Sequence, residues 1–529
     1  VFSFIEKHYF LIKTVLITAI ISNLLLSSFS IYLIYDQSYL IEERKAVSRF
    51  FVVNAAVHLF PIFIILYKKI LGAIQRFFCE LGYSGNLAIF RIVFFWYLFS
   101  KDNSSLIELI KIPKDLHHAS WQLPQWFLEY LPINEVWVST SVFLFKVFCF
   151  LSCIGLLTHF SSLMALILGF YIMGVPHYLG KLNHHHHEFW FLAILAMSRS
   201  ADSLSLDRLI STWRNKTQNH FLEHSPSIVY SLPLRFIWIL MGILYFFPGF
   251  WKIWGGGLDW IMSNHLKYYM YFKWMSYDIA PPFPIDQHPV LLKILAALVI
   301  LFEMSFILLI FSTRWRYLAV MSGLIFHKMT QLFLGIHFYS LVLCYIAFFD
   351  WQRIWYLVDR NLLRSNSWLS WNDSKNLIPS VTVLKSGRPY PLILCGLFLV
   401  AGNVYYGFRN YHSWPFSCYP TFMEMRNNPY SYVLTMDVFD RNHRKIEYNT
   451  KNSFYSPDYL QEFLVTLSHE RNNKEKVGKR LRGFFESWKE KDEQLKAGVY
   501  IEFYVDTLDM TPGQQGKVIE RKKIHKLSL

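Results

Sequence analysis

The chain has 529 residues, of which 53% are hydrophobic, 19% aromatic and only 17% charged. Soluble domains carry about a quarter charged residues. Together with apolar windows of about 20 residues recurring along the chain, this balance argues against an ordinary soluble enzyme and for a polytopic helical membrane protein. Lys and Arg number 52 against 37 Asp and Glu, a formal charge of +15. The basic residues sit between apolar runs and in the C-terminal part, where orientation and lipid headgroups explain them without nucleic acid.

In chain order the apolar spans are Leu11–Tyr35, Phe50–Tyr67, Leu87–Phe99, Trp137–Phe160, Leu163–Leu179, Phe189–Met197, Ile228–Trp251, Val290–Phe311, Tyr317–Phe333, Phe338–Phe349 and Leu392–Tyr406. The expected fold is thus a mainly α bundle of about nine to eleven spans. It divides into extra N-terminal spans over 1–85, a central bundle over 86–409 and a small α+β domain over 410–529. Four of the six cysteines, Cys149, Cys153, Cys344 and Cys395, fall inside apolar runs as small hydrophobes, and no spacing suggests a zinc ribbon or disulfide framework.

Alternation of the spans puts the histidine run His184–His187 and Lys252 on one membrane side. Basic segments (Lys68, Lys69 and Arg76; Arg208, Arg214 and Lys216; Arg314 and Arg316; Arg353, Arg360 and Arg364) fall on the other. The positive-inside rule makes that second side cytoplasmic. The His/Lys face and the tail are then expected to be periplasmic or lumenal, in a bacterial inner membrane or an endoplasmic reticulum membrane.

In the tail, Tyr432–Phe439 alternates and, after the polar turn Asp440–Lys445, leads to Ile446–Asn449 as a hairpin. Ser456-Pro457-Asp458 is a helix start. A second amphipathic helix carries Val477, Leu481, Phe484, Phe485 and Trp488, and Val499–Asp506 alternates as a further strand. The tail offers no nucleophile motif or phosphate loop and reads as an accessory module.

Two features of the bundle offer chemistry. Lys252 closes the apolar run YFFPGFW and precedes Gly255-Gly256-Gly257. Most lysines so placed are interfacial anchors, but burial favours a neutral amine, which is a base. Pro248 and Gly249, one turn earlier, are expected to kink the helix. In Asn183-His184-His185-His186-His187-Glu188, helical spacing puts His184 on one face with His187 and Glu188. That spacing suits metal ligands, yet His177, His117-His118, His327 and His337 do not complete the several histidine boxes of a di-iron membrane oxygenase, so no metal is expected. A hydrated interfacial cluster and neutral imidazoles moving protons in a pocket remain. Arg91 and Glu303, both within apolar spans, are expected to form a structural ion pair.

Several strings, in order, resemble the vitamin K-dependent gamma-glutamyl carboxylase family, whose membrane part is called the horizontally transferred transmembrane domain. They run from LAIFRI (Leu87–Ile92) to LKAGVYIEFYVD near the C-terminus. PLRFIWILMGILYFFPGFWK (Pro233–Lys252) resembles the family segment that ends in its catalytic lysine. KLNHHHHEFW followed by SADSLSLD resembles its Asn-His pair and later Ser-x-Asp, and FHKMTQLF a helix bearing His327. The resemblance implies Lys252 and His184 as catalytic residues, with Asn183, His185, Trp251 and His327 binding the quinone; ungapped spacing selects His184, and a small shift selects His185 or His186. It also implies reduced vitamin K or a related hydroquinone as cofactor, with O2 and CO2 as co-substrates. Lys252 would deprotonate the hydroquinone, and its oxidation to an epoxide would drive carboxylation of glutamate in an exported protein. Such a site must be dry, and Asn183 and His184 would donate to the developing oxyanion. The chain departs from animal members in having Trp251 where they carry another lysine, two extra leading spans, a shorter tail and four successive histidines. Two alternatives stay open: another quinone or lipid redox enzyme of the same fold, and a non-enzymatic lipid-binding or assembly subunit.

Overall fold

A computed structural model describes residues 66–111, 133–178, 185–215, 226–358, 389–423, 425–448, 457–490 and 492–529, with a few isolated residues elsewhere. Most of the first two apolar spans, and Asn183 and His184, lie outside the described residues. The labelled helices are α1 (Ser84–Ser100), α2 (Glu135–Ile154), α3 (Thr158–Tyr178), α4 (His186–Ala196), α5 (Leu206–Arg214), α6 (Ile228–Trp251), α7 (His265–Tyr277), α8 (Pro289–Leu309), α9 (Thr313–Leu334) and α10 (Tyr390–Arg409). Among the described residues, five helices are long and apolar enough to cross a membrane: α2, α3, α6 with its C-terminal extension, α8 and α10.

Helix α6 is the axis of the bundle, with 89% of its apolar window inside the protein. It packs against α4, α8 and α10. The outer helices instead turn large apolar side chains outward at helical spacing, as Ile294, Leu298 and Leu301 do on α8 and Leu394, Leu397 and Phe398 on α10. A helix facing hydrocarbon on one side has such a surface.

The expected span Trp137–Phe160 is corrected: α2 stops at Ile154, because Gly155 is left-handed at φ 72° and a Cβ there would strike Ser205. Asp207 then caps the start of α3, accepting from Leu157 N at 2.8 Å, Thr158 N at 2.8 Å and Thr158 Oγ1 at 2.7 Å. The expected Arg91–Glu303 pair is also corrected. Arg91, fully buried, donates to the carbonyls of Ser200 and Leu204, each at 2.5 Å. It thereby satisfies backbone oxygens beyond the end of α4 that the low-dielectric interior would otherwise leave bare.

The tail carries strands β1 (Tyr430–Phe439), β2 (Lys445–Ile446), β3 (Tyr500–Asp509) and β4 (Val518–Ser528), and helices α11 (Pro457–Glu470) and α12 (Lys474–Lys489). The antiparallel sheet has the order β2-β1-β3-β4. The alternation over Tyr432–Phe439 and Val499–Asp506 and the Pro457 helix start all have their counterparts here. Strand β4 is not legible in the sequence: its run of Glu520, Arg521, Lys522 and Lys523 reads as a polar tail, whereas in the fold these charges guard an exposed edge.

Candidate functional site

Helix α6 runs through Pro248 to Trp251 and then widens into a π turn, Lys252–Gly256. This wider turn follows Pro248 and Gly249 directly and is a local geometry frequent at functional sites. Lys252 is 1% exposed, and its Nζ donates to Glu303 Oε1 on α8 at 2.5 Å. Gly249 permits the approach, since a Cβ there would lie 2.9 Å from Glu303 Cβ. Glu303 Oε2 has no hydrogen-bond partner among the described residues. Nζ also sits 5.1 Å from the centre of the Trp260 ring, which in turn lies 5.3 Å from the His265 ring. His265 Nδ1 accepts from Arg426 N at 2.8 Å, while its Nε2 is unpartnered among the described residues. His265 opens α7 and has its pKa pushed down to about 3, by burial first and by the charge of Lys252 second; it is a neutral imidazole. Gly256 allows the chain around Met425 to cross closely, since a Cβ there would lie 3.0 Å from Met425 Sδ.

Two turns before Lys252, on the same side of α6, the Tyr245 hydroxyl bonds His327 Nε2 at 2.6 Å and the Tyr345 hydroxyl at 2.8 Å. His327 Nδ1 has no partner among the described residues. Phe302, the neighbour of Glu303 in the chain, packs 5.0 Å from the Tyr245 ring. Lys252 and His327 therefore belong to two successive polar layers of one apolar core rather than to one contact.

The histidine run divides at the start of α4. His185 Nδ1 is 3.0 Å from Glu188 Oε1. Glu188 also accepts from the Tyr97 hydroxyl at 2.9 Å and from Lys101 Nζ at 2.7 Å, so both of its oxygens are used. His187 is held on both ring nitrogens, by the Tyr419 hydroxyl at 2.7 Å and Ser340 Oγ at 3.0 Å. His187 N donates to that same Tyr419 oxygen at 3.0 Å. One assignment serves all three bonds: Tyr419 O–H donates to Nδ1, and His187 carries its proton on Nε2. A cavity of about 320 Å³ lies beside this network, lined by Lys101, His185, His337, Phe338 and Ser340. Phe338 packs near His327, ring centres 5.1 Å apart, so the cavity wall abuts the Tyr245 layer.

Of the residues expected from sequence, His185 lines the cavity, His327 sits in the Tyr245 layer and Lys252 lies two turns further along, just past the end of α6. Trp251 is committed to structure, its Nε1 donating to Gly407 O at 2.7 Å. Sequence reasoning missed the partnership of Glu303 with Lys252, and missed Tyr245, His265 and Tyr419 altogether. The spacing of seven between Tyr245 and Lys252 is the one signal that was available for Tyr245. Comparison of the chain with protein-family models, with curated proteins and with solved structures finds no match.

Proposed function

We propose that the chain is a membrane-embedded enzyme that oxidises a hydroquinone, with Lys252 as the proton-abstracting base. The buried Lys252–Glu303 pair with its half-used carboxylate is the observation that carries this reading. In a dry site a close ammonium–carboxylate pair and its neutral amine–acid form compete, because the neutral form avoids the desolvation of two charges. Passing the proton from Nζ to Oε1 leaves an amine that can take the hydroxyl proton of a bound quinol. The unpartnered Glu303 Oε2, His265 Nε2 and His327 Nδ1 are buried polar atoms that suit a ligand bearing hydroxyl and carbonyl groups. Reduced vitamin K or a related hydroquinone supplies the redox chemistry with O2, giving an epoxide. Tyr245 and His327 form a second polar layer two turns from the base, His185 and Lys101 orient the entering molecule at the cavity, and the aromatic packing excludes water.

Coupling to carboxylation of a glutamate in an exported protein, with CO2 as co-substrate, is the further activity implied by the resemblance to the gamma-glutamyl carboxylase family. The span alternation supports a periplasmic or lumenal face for Lys252 and the tail, and labelling of a cysteine placed at the exposed tail position by Ser468→Cys, against that of the exposed native Cys79, with a membrane-impermeant thiol reagent tests it. In the principal test, Lys252→Ala abolishes epoxidation of the hydroquinone by protein that remains monodisperse in detergent; full turnover by that variant removes the base assignment. Mass spectrometry of co-expressed exported proteins for carboxyglutamate separates a carboxylase from a quinol oxidase. The 2.5 Å contact itself favours a second reading, in which the pair is a structural clamp in a non-enzymatic lipid-binding subunit. On that reading, replacing both partners by apolar residues leaves every function intact.

A further inference from the structure

Three histidines outside the layers just described converge from three separate places in the chain. His177 ends α3, His186 begins α4, and His412 follows α10. His177 and His186 are buried, His412 is half-buried, and one ring nitrogen from each lies within 4.8 Å of the others. Their ring centres are 4.5 Å apart for His177–His186, 4.9 Å for His186–His412 and 5.9 Å for His177–His412. We propose that His177, His186 and His412 form a three-histidine site for a divalent first-row transition metal, of which zinc is the type ion.

Metal–nitrogen bonds of about 2.0–2.1 Å in a tetrahedron separate ligand nitrogens by roughly 3.4 Å. The three nitrogens, within 4.8 Å of one another, need to close by at most about 1.4 Å to reach that spacing. Three neutral imidazoles with no thiolate and no carboxylate suit zinc, iron, nickel or copper and discriminate against magnesium and calcium, which take oxygen. The surroundings fit an ion site too. His412 Nδ1 bonds Ser417 Oγ, which also accepts from Tyr419 N at 2.9 Å. A second partner of this kind fixes the ring and turns Nε2 toward the ion. Trp414 stacks on His177 with ring centres 5.5 Å apart and planes 20° apart, and Phe189 closes on Trp414 at 5.1 Å. An aromatic cup of this sort lowers the local dielectric and slows ligand exchange. Three protein ligands leave a fourth position for water or substrate. The site also ties the segment that leaves the bundle after α10 to the end of α3 and the start of α4. It runs against the metal-free expectation from sequence, in which His412 carries no signal and His177 completes no histidine box.

The test is metal content of the full chain, purified in detergent without a histidine tag, loaded with Zn²⁺ and dialysed against a weak chelator. About one equivalent of zinc is expected to remain. His177→Gln and His412→Gln each lose it, and Ser417→Ala weakens affinity about tenfold, while His337→Ala retains it. Loading with Co²⁺ gives a second readout independent of turnover: visible absorption bands of a low-coordinate cobalt centre, absent in His412→Gln. Retention of well under one equivalent by the monodisperse unsubstituted protein, or equal retention by the His177 and His412 variants, overturns the proposal. Neither result bears on Lys252, so this site and the base assignment fail separately.

Discussion

Glu303 in the bundle and Glu470 in the tail both hold basic side chains, and they do so in opposite ways. Glu470 spends both oxygens, on Arg480 Nε at 2.5 Å, Arg480 Nη2 at 2.9 Å and Lys476 Nζ at 2.8 Å. Glu303 spends one, on Lys252, although it is the more deeply buried, with 4% of its side chain exposed against 13% for Glu470. Glu188 follows the tail pattern even within the bundle, with partners on both oxygens. A fully satisfied carboxylate is a strut. A half-satisfied one in a dry interior keeps an energetic reason to bind or move a proton, since an unmet buried acceptor is costly. On the proposed function, the contrast separates chemistry from architecture among groups of one residue type.

The sharpest way to break the comparison is to remove the bundle pair as a unit. Lys252→Met combined with Glu303→Leu is expected to lower hydroquinone oxidation by about 10³-fold, the range that loss of a positioned base produces. Stopped-flow or chromatographic assay of epoxide formation reads it, and unchanged turnover leaves the clamp reading standing. Stability of the same set gives the next effect in size. Glu303→Leu alone strands Lys252 uncompensated and costs about 3–5 kcal/mol, whereas the double variant is close to neutral. The midpoint of thermal unfolding in detergent distinguishes the two. Smaller still is Gly249→Ala, which forces a Cβ against Glu303 and is expected to cost about 1–3 kcal/mol by overpacking. Its turnover should fall with the displaced pair rather than with global unfolding.

The ease with which these residues could be found from sequence followed the range of their interactions. The extents of α6, α8 and α10 follow from apolar runs, and the tail strands β1 and β3 from alternation, because those signals are local. Lys252 stands out since its own helix marks it. Its partner does not, because Arg91 and Glu303 are each a lone charge in an apolar span and nothing local says which helix faces which. The structure gives Arg91 to backbone carbonyls and Glu303 to Lys252. The histidine run poses the same difficulty at closer range. Helix α4 begins at His186, which sends His185 to the cavity, His186 to His177 and His412, and His187 to Tyr419. Those three fates depend on helix phase and, for His186 and His187, on residues over 200 positions away, neither of which four identical letters encode.

The tail carboxylate supplies the smallest effect and the cleanest sign. Burial works against ionisation of Glu470, but hydrogen bonds from Arg480 and Lys476, reinforced by their charges, hold its carboxyl below the usual range. A folded-state pKa below that of the unfolded chain means that the unfolded state binds the proton more readily. The contribution is therefore full above the unfolded value of about 4.3 and is lost as pH falls through the lower folded value. At pH 7 Glu470→Gln is expected to cost the tail about 2 kcal/mol, the scale of hydrogen bonds to a charged group. As pH falls from the unfolded value through the lower folded one, the gap between the two proteins should close, because below both the native carboxyl is protonated as well. Pulse proteolysis of the tail in the intact chain, across that range, measures both curves. A gap that persists in acid would mean that Glu470 acts by packing and not by charge, and would remove the satisfied strut from the comparison with Glu303.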